Sequence, residues 1–277
     1  MLKQILVLLG DTPSSVRARE YAFHLARDTG AALTGFAGID LSFIEAPMFG
    51  GIGVSAYKAK LEEELRQQAD ETRQSLRETF EREAREQKLP FEWLSFEGDP
   101  LAHLPLAAET HDIIITGHDT AYRGDIGDPI SEMLGKLLQV TPRPVIACPE
   151  EAPNGANVLI AYDGSLPGMR TVQLFALLGI WRQSRIHVTS INSDRALAVR
   201  ATDSVAHYLR NHGYEVDTHP IASDVHPSEL LRVQVADLRV GTLVMGAYGR
   251  RGFRELLFGS TTNSLIQTPP CRLFLYH

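Results

Sequence analysis

The chain has 277 residues, more than one compact domain usually contains, so two domains of ordinary size are expected. Hydrophobic residues make up 44% and charged residues 22%, which excludes a disordered or collagen-like chain. The formal net charge of −7 argues against a general nucleic-acid binder, because phosphate backbones select basic surfaces.

The cysteine content and the apolar runs favour a cytoplasmic protein without a membrane partner. Cys148 and Cys271 are too few for a disulfide framework, so a reducing compartment is expected and both are interpreted as small buried side chains. The first residues run directly into a short strand-like segment and lack a secretory signal pattern. No apolar run is long enough to cross a bilayer.

The opening of the chain predicts a strand-helix-strand unit. Residues 5–9 form a continuous apolar run, typical of a strand buried on both faces, and Gly10 begins a turn after it. Ser14 or Ser15 is a suitable cap for a helix with apolar residues at helical spacing, and Gly30 is a suitable end. Residues 31–39 then return as a strand, which is the pattern that builds parallel sheets.

The same opening recurs in the second half of the chain. Residues 158–162 are a second apolar run, and the turn Asp163-Gly164-Ser165, a helical pattern and a strand follow. Two later stretches recur as well: residues 112–117 parallel residues 242–246, and residues 141–146 parallel residues 267–274. The sequence therefore predicts a tandem of two α/β domains, residues 1–150 and 151–277, with a linker over about 150–156.

The first half is longer than the second by about 24 residues, and the extra residues precede Gly98. They comprise a flexible-looking loop at residues 46–53 and a predicted helix over about 55–86, which has a narrow apolar stripe among many charges. A solvated helix lying over its own domain is the favoured interpretation. The alternative is a surface on which a partner docks.

A glycine-rich stretch in the second half predicts a phosphate-binding turn before a helix. Its spacing is Gly246-x2-Gly249-x9-Gly259-Ser260, directly after an apolar strand that ends at Met245. Ser260, Thr261 and Thr262 are good helix-capping types, and a helix start offers unpaired N–H groups and a positive dipole end to phosphate oxygens. From spacing alone, an ordinary strand-to-helix connection is an equal alternative.

This spacing resembles the nucleotide-binding signature of the ATP-binding branch of the universal stress protein family. The resemblance extends over nearly the whole chain, since residues 96–100 are similar to the turn before the family's third helix. It implies an α/β fold of two doubly wound domains with five-stranded parallel sheets, of the adenine-nucleotide alpha hydrolase-like type. It also implies a stress-response role and an adenine nucleotide, ATP, ADP or AMP, with or without Mg²⁺.

The resemblance assigns the nucleotide to the second half. It places four residues against the nucleoside, namely Ala161, Asp163, Met245 and Gly246. It places five around the phosphates, namely Gly249, Gly259, Ser260, Thr261 and Thr262. Asp163 would accept from a ribose hydroxyl or an adenine amine, with a simple turn aspartate as the alternative. Three arginines, Arg250, Arg251 and Arg254, either add charge near the phosphates or belong to a solvated loop.

The first half departs from this pattern at each matching point. Gly10 stands where the family has its aspartate, Thr120 stands where Gly249 falls in the second half, and Ser131-Glu132 stand in place of Gly259-Ser260. The first half is therefore expected to keep the fold without a working nucleotide site.

No catalytic set is recognisable. The sequence lacks G-x-x-x-x-G-K-[ST], G-x-G-x-x-G after a strand, H-E-x-x-H and paired CxxC motifs, so no metal site is expected. Four histidines, His207, His212, His219 and His226, are interpreted as surface or capping residues.

Three functions remain open at this level. The favoured one is a regulatory nucleotide-binding protein whose ATP hydrolysis, if any, is slow. The others are an ATP-hydrolysing or adenylyl-transferring enzyme, and a scaffold that binds a partner or an apolar small molecule through the inserted residues of the first half. The apolar runs 145–147 and 273–275 are expected to join the halves as an internal pseudo-dimer, and the resemblance implies a homodimer as well.

Overall fold

A computed structural model describes residues 1–40, 54–120, 131–247 and 259–277, and within those ranges strands and helices alternate along the chain. The strands are β1 Gln4–Leu8, β2 Ala32–Ile39, β3 Phe91–Glu97, β4 Ile113–Gly117, β5 Val145–Cys148, β6 Asn157–Ala161, β7 Ile186–Asn192, β8 Val216–Ala222, β9 Val240–Gly246 and β10 Arg272–Tyr276. The helices are α1 Pro13–Thr29, α2 Val54–Glu86, α3 Pro100–Ala108, α4 Ser131–Val140, α5 Leu166–Leu178, α6 Arg195–Asn211, α7 Pro227–Asp237 and α8 Ser260–Gln267.

All described strands belong to one ten-stranded sheet with the order β3-β2-β1-β4-β5-β10-β9-β6-β7-β8. Within each half the five strands are parallel, and the order from the outer edge to the middle is the same in both halves. Apolar clusters on the two faces of the sheet form the core. The predicted α/β class with mainly parallel strands is confirmed, and ten strands fit two domains.

The two halves meet through β5 and β10, which pair in the antiparallel direction. The register aligns Phe274 with Ile146, and both side chains are fully buried. The ring of Phe274 meets those of Phe175 and Trp181 edge-on, with ring centroids 6.2 and 5.6 Å apart. The predicted pairing of these two apolar runs is confirmed, and it covers two edges that would otherwise expose unpaired backbone groups.

The first helix of each half begins with the same chemistry. Thr12 accepts a hydrogen bond from the backbone N–H of Ser15 at the start of α1, and Ser165 accepts one from Gly168 at the start of α5. Each helix ends at a glycine with positive φ, Gly30 at 69° and Gly179 at 67°, a conformation that L side chains rarely adopt. The cap predicted at Ser14 or Ser15 was wrong, because Pro13 already occupies the first turn and the cap precedes it.

The predicted long helix is present as α2, and its C-terminal end packs on the sheet. Phe80 and Ala84 are fully buried, and a Cβ atom on Gly35 of β2 would lie 2.9 Å from the Phe80 ring. Arg19 of α1 donates two hydrogen bonds to Glu83. This end of α2 therefore covers its own half of the sheet, as the favoured interpretation expected. The loop predicted at residues 46–53 lies outside the described residues.

The described helices offer no membrane span. None of those in the ranges given above combines the length and the apolar character that a bilayer crossing requires.

The packing of Phe274 gives a test of the junction. We expect Phe274→Ala to lower the free energy of unfolding by about 3–5 kcal/mol, because the substitution opens a cavity between two aromatic rings and β5. Denaturant unfolding of the whole chain measures this loss. Leu106→Ala is the control, since Leu106 is 65% exposed and its truncation is expected to cost about 0.5 kcal/mol or less. Equal unfolding midpoints for Phe274→Ala and the unsubstituted chain would contradict this account of the junction.

Candidate functional site

The carboxyl ends of β6 and β9 form the centre of the candidate site. Strand order reverses between these two neighbours, since β7 and β8 lie beyond β6 and β10 lies beyond β9. Ligands of open α/β sheets bind at such a reversal, outside the carboxyl ends of the strands. Ala161, the last residue of β6, is paired in register with Met245 of β9. Met245 is only 6% exposed, so its backbone rather than its side chain is available to a ligand.

Asp163 follows β6 and shapes the turn into α5. Its Oδ1 accepts a hydrogen bond of 2.9 Å from the backbone N–H of Ser165, and the side chain is exposed. Asp163 therefore acts as a turn aspartate, which is the alternative that the sequence left open. This role does not exclude a contact with a ligand, because the carboxylate has a second oxygen. Asp163 lies beside the carboxyl ends of β6 and β9, where the strand order reverses.

Gly246 is needed for packing at the end of β9. A Cβ atom there would lie 2.8 Å from the backbone nitrogen of Gly168 and 3.1 Å from the carbonyl carbon of Pro167, both in the first turn of α5. Gly117 of β4 meets Ser14 and Ser15 of α1 in the same manner. The sequence predicts that Gly246 lets a ligand approach closely, and the structure shows that it also lets the first turn of α5 approach closely.

The start of α8 presents backbone N–H groups that have no acceptor within the helix. Gly259 precedes the helix without a side-chain cap, and the first turn contains no acidic residue. Asn263 makes the hydrogen bond to the Gly259 carbonyl, at 3.0 Å, so the N–H groups of residues 259–262 have no acceptor within the helix. Ser260 is exposed, whereas Thr262 is 4% exposed and can reach a surface ligand only through its backbone. Such a helix start attracts anions.

His226 links the start of α8 to the start of α7. It caps α7, as expected from the sequence, because Nδ1 accepts from the backbone N–H of Ser228 at 3.4 Å. A neutral ring that accepts at Nδ1 carries its proton on Nε2, and Nε2 lies 2.9 Å from the Ser260 hydroxyl oxygen. Nδ1 also lies 2.7 Å from the Ser228 hydroxyl oxygen. In the tautomer in which Nδ1 accepts from Ser228, Nε2 donates to Ser260, and the Ser260 proton can then point at an incoming oxygen atom.

The sequence offered a signal for only part of this arrangement. Pro227 after His226 marks a helix start and therefore a cap. The contact with Ser260, 34 positions further along, arises only because both helices begin at the same edge of the sheet.

The expected site residues fall into two described groups. The first group lies around the β6–β9 reversal and consists of Ala161, Asp163, Met245 and Gly246. Asp163 and Gly246 both lie close to Gly168, because a Cβ atom on Gly168 would be 3.0 Å from Asp163 Oδ1 and one on Gly246 would be 2.8 Å from the Gly168 nitrogen. The second group is the start of α8. Four further residues, Gly249, Arg250, Arg251 and Arg254, lie outside the described part of the chain.

The matching crevice of the first half is filled by its own polar side chains. Thr12 donates a hydrogen bond of 2.8 Å to Asp119 Oδ1, and Ser14 donates to the same oxygen. Ser15 and Thr120 share a hydrogen bond of 2.7 Å between their hydroxyls. A Cβ atom on Gly10 would lie 2.8 Å from Ser15 Oγ, so a side chain like that of Asp163 would collide with this network.

Neither cysteine is available as a nucleophile. Burial raises the pKa of the Cys148 thiol to about 12 and that of the Cys271 thiol to about 12 as well. Both remain protonated near neutral pH, and a thiol is far less reactive than a thiolate. The expectation of small buried side chains is confirmed.

Comparison with known proteins identifies relatives of the chain. Residues 156–277 match the model of the universal stress protein family. A universal stress protein of Synechocystis sp. is 24% identical over 163 residues, a match that covers 56% of this chain and 54% of that protein. The chain thus spans about half the length of the curated relative it matches.

Two solved structures share the fold over nearly the whole chain. A universal stress protein from Archaeoglobus fulgidus DSM 4304 superimposes with a TM-score of 0.69 at 18% identity, covering 99% of this chain and 97% of that one. A functionally unknown protein from Pseudomonas aeruginosa PAO1 gives 0.59 at 15% identity, with coverage of 99% and 92%. Residues 156–277, the half that contains the candidate site, are thus the part of the chain that matches the universal stress protein family model.

Proposed function

We propose that the protein is a regulatory nucleotide binder of the stress response that holds ATP, ADP or AMP, with or without Mg²⁺, in its second half. The observation that carries the proposal is the start of α8. There the N–H groups of residues 259–262 lack helical acceptors, and the adjacent Ser260 hydroxyl lies 2.9 Å from His226 Nε2. Backbone donors, a helix dipole and a hydroxyl together suit phosphate oxygens.

The nucleoside end of the ligand fits the β6–β9 reversal. Asp163 is exposed there with one carboxylate oxygen in the turn, so the other can accept from a ribose hydroxyl or an adenine amine. The backbone at Ala161 and Met245 forms the floor between the two strands. Gly249, with the arginines near it, would complete the phosphate loop in this proposal.

The first half takes no nucleotide in this proposal. Asp119 places a carboxylate, held by Thr12 and Ser14, in the crevice where the phosphates would approach, and like charges repel. The protein would then consist of residues 1–150 with a degenerate site and residues 151–277 with a working one. In this proposal the chain is an internal pseudo-dimer, which the β5–β10 pairing supports, and two chains associate into a homodimer.

Nucleotide binding should depend on Gly259. We expect the whole chain to bind one ATP in calorimetric titration, and Gly259→Glu to weaken binding roughly a thousandfold, because a carboxylate would enter an anion site. The fold should tolerate the change, since Gly259 is exposed and has φ −55°, which any residue adopts. Gly259→Gln is the size-matched control that separates charge from bulk. Two sites per chain, or unchanged binding by Gly259→Glu, would refute the assignment.

His226 should act through Ser260. We expect His226→Asn to keep the cap on α7, because Asn is a strong capping residue, while being too short to reach Ser260. The loss of one orienting hydrogen bond is worth about 1 kcal/mol, so the nucleotide dissociation constant should rise roughly fivefold. Combining His226→Asn with Ser260→Ala should add little to Ser260→Ala alone. Additive losses would mean that His226 does not work through this hydroxyl.

Hydrolysis should be slow. No described residue near the start of α8 is placed to orient a water molecule and hold a metal ion together, and fast phosphoryl transfer requires both. The expected turnover number is far below about 10 per second, which is typical of enzymes. Steady-state phosphate release, compared with mass spectrometry of the co-purifying nucleotide, measures it. A turnover in the usual enzyme range would favour the alternative of an ATP-hydrolysing or adenylyl-transferring enzyme on this fold.

A further inference from the structure

Three side chains with metal-binding atoms meet at the carboxyl edge of the first half. His118 and Asp119 follow β4, and Glu150 follows β5, the strand that pairs with β4. One ligand atom from each side chain lies within 4.8 Å of the other two. We propose that this group, here called the His118 cluster, binds a divalent transition-metal ion of the zinc class.

The burial and the unpaired ring nitrogen of His118 support its role as a metal ligand, independently of the two carboxylates. The side chain is 6% exposed, and its Nδ1 is buried without a hydrogen-bond partner among the described residues. Buried ring nitrogens are normally paired, because desolvation without a partner costs free energy. A neutral imidazole is also the most common nitrogen ligand of zinc in proteins. His118 therefore has both the chemistry and the unmet requirement of a ligand.

The charges at the cluster favour a cation. Among the described residues, neither Asp119 nor Glu150 forms an ion pair with lysine or arginine. Arg17 is the nearby guanidinium, but its Nη1 pairs with Glu20 at 2.8 Å and its Nε donates to the backbone carbonyl of Glu150. Two carboxylates that share a site repel each other, and a divalent ion between them removes that repulsion.

The surroundings of Asp119 hold it as a ligand. Thr12 and Ser14 both donate to Oδ1, so the carboxylate plane is fixed from the α1 side. No described residue is hydrogen-bonded to Oδ2, which leaves that oxygen for an ion. Carboxylates that bind metals are commonly oriented by such outer hydrogen bonds.

The ligand set indicates the class of ion. One imidazole nitrogen with two carboxylate oxygens suits zinc and its neighbours among the divalent transition metals, whereas Mg²⁺ prefers oxygen ligands and retains several waters. Three protein ligands leave a fourth tetrahedral position for water or a small anion. The first half would then use its crevice for a cation, at the place where the second half is proposed to receive phosphates.

Titration of the metal-free, nucleotide-free whole chain with ZnCl₂ tests the proposal. We expect one saturable site per chain, and a rise of at least about tenfold in its dissociation constant for Glu150→Gln, which removes a ligand charge at nearly constant size. Glu150 is exposed, so the substitution should leave the thermal unfolding midpoint unchanged. MgCl₂ should give no saturable binding at the concentrations that saturate zinc.

A matched control is present in α1. His24 lies 3.2 Å from Asp28 in an exposed histidine–carboxylate pair, and His24→Ala should leave the zinc site unchanged. His118→Gln should abolish zinc binding. If this substitution at a buried residue prevents folding, the zinc affinity of Glu150→Gln tests the proposal instead. No saturable zinc binding, equal affinity in Glu150→Gln, or loss of the site in His24→Ala would each overturn the proposal.

Discussion

The antiparallel pairing of β5 with β10 determines how everything else in the molecule is placed. Within each half the strands are parallel, so reversing direction at one junction sends the two sets of strands in opposite directions. The carboxyl ends of the first five strands therefore lie at one end of the continuous sheet, measured along the strand direction. Those of the last five strands lie at the opposite end. Each half has its own crevice, and the two crevices face away from each other.

The same scaffold presents different side chains at the two crevices. In both halves a hydroxyl caps the first helix, at Thr12 and Ser165, and a strand-ending glycine admits that helix closely, at Gly117 and Gly246. These features serve the packing of the first helix of each half against its strands. The differences lie in the residues that follow the strands, where a change alters the crevice and leaves the strands of the core intact. A carboxylate network in one half and an uncapped helix start in the other are therefore both compatible with one fold.

Prediction from sequence succeeded where local pattern and burial coincide. Residues 5–9 and 158–162 are apolar because those strands are covered on both faces, and the runs 145–147 and 273–275 are apolar because they cover each other. Prediction was incomplete where the outcome depended on a neighbour in space. The spacing predicts Gly246 as a ligand contact, and the structure adds that the first turn of α5 also requires a glycine there.

The side-chain contacts at both proposed sites had no local signal in the sequence. His226 meets Ser260, and His118 meets Glu150, each across more than 30 positions, because parallel strands bring separate loops to one edge. Pro227 revealed the cap at His226, and nothing in the sequence revealed its second partner. The absence of H-E-x-x-H or CxxC leads to the expectation of no metal site, and the proposed site departs from it because such motifs detect ligands on one element and miss ligands that follow two different strands.

The opposite orientation of the crevices also constrains how the sites can influence each other. Energetic coupling between distant ligands requires two global states that each ligand favours differently. The path between the crevices crosses β5 and β10, where Ile146 and Phe274 are fully buried and aromatic rings pack on Phe274 from two sides. A closely packed junction of this kind resists small displacements. Any coupling between the two proposed sites would therefore have to pass through this packed junction, which transmits strain but allows little local rearrangement.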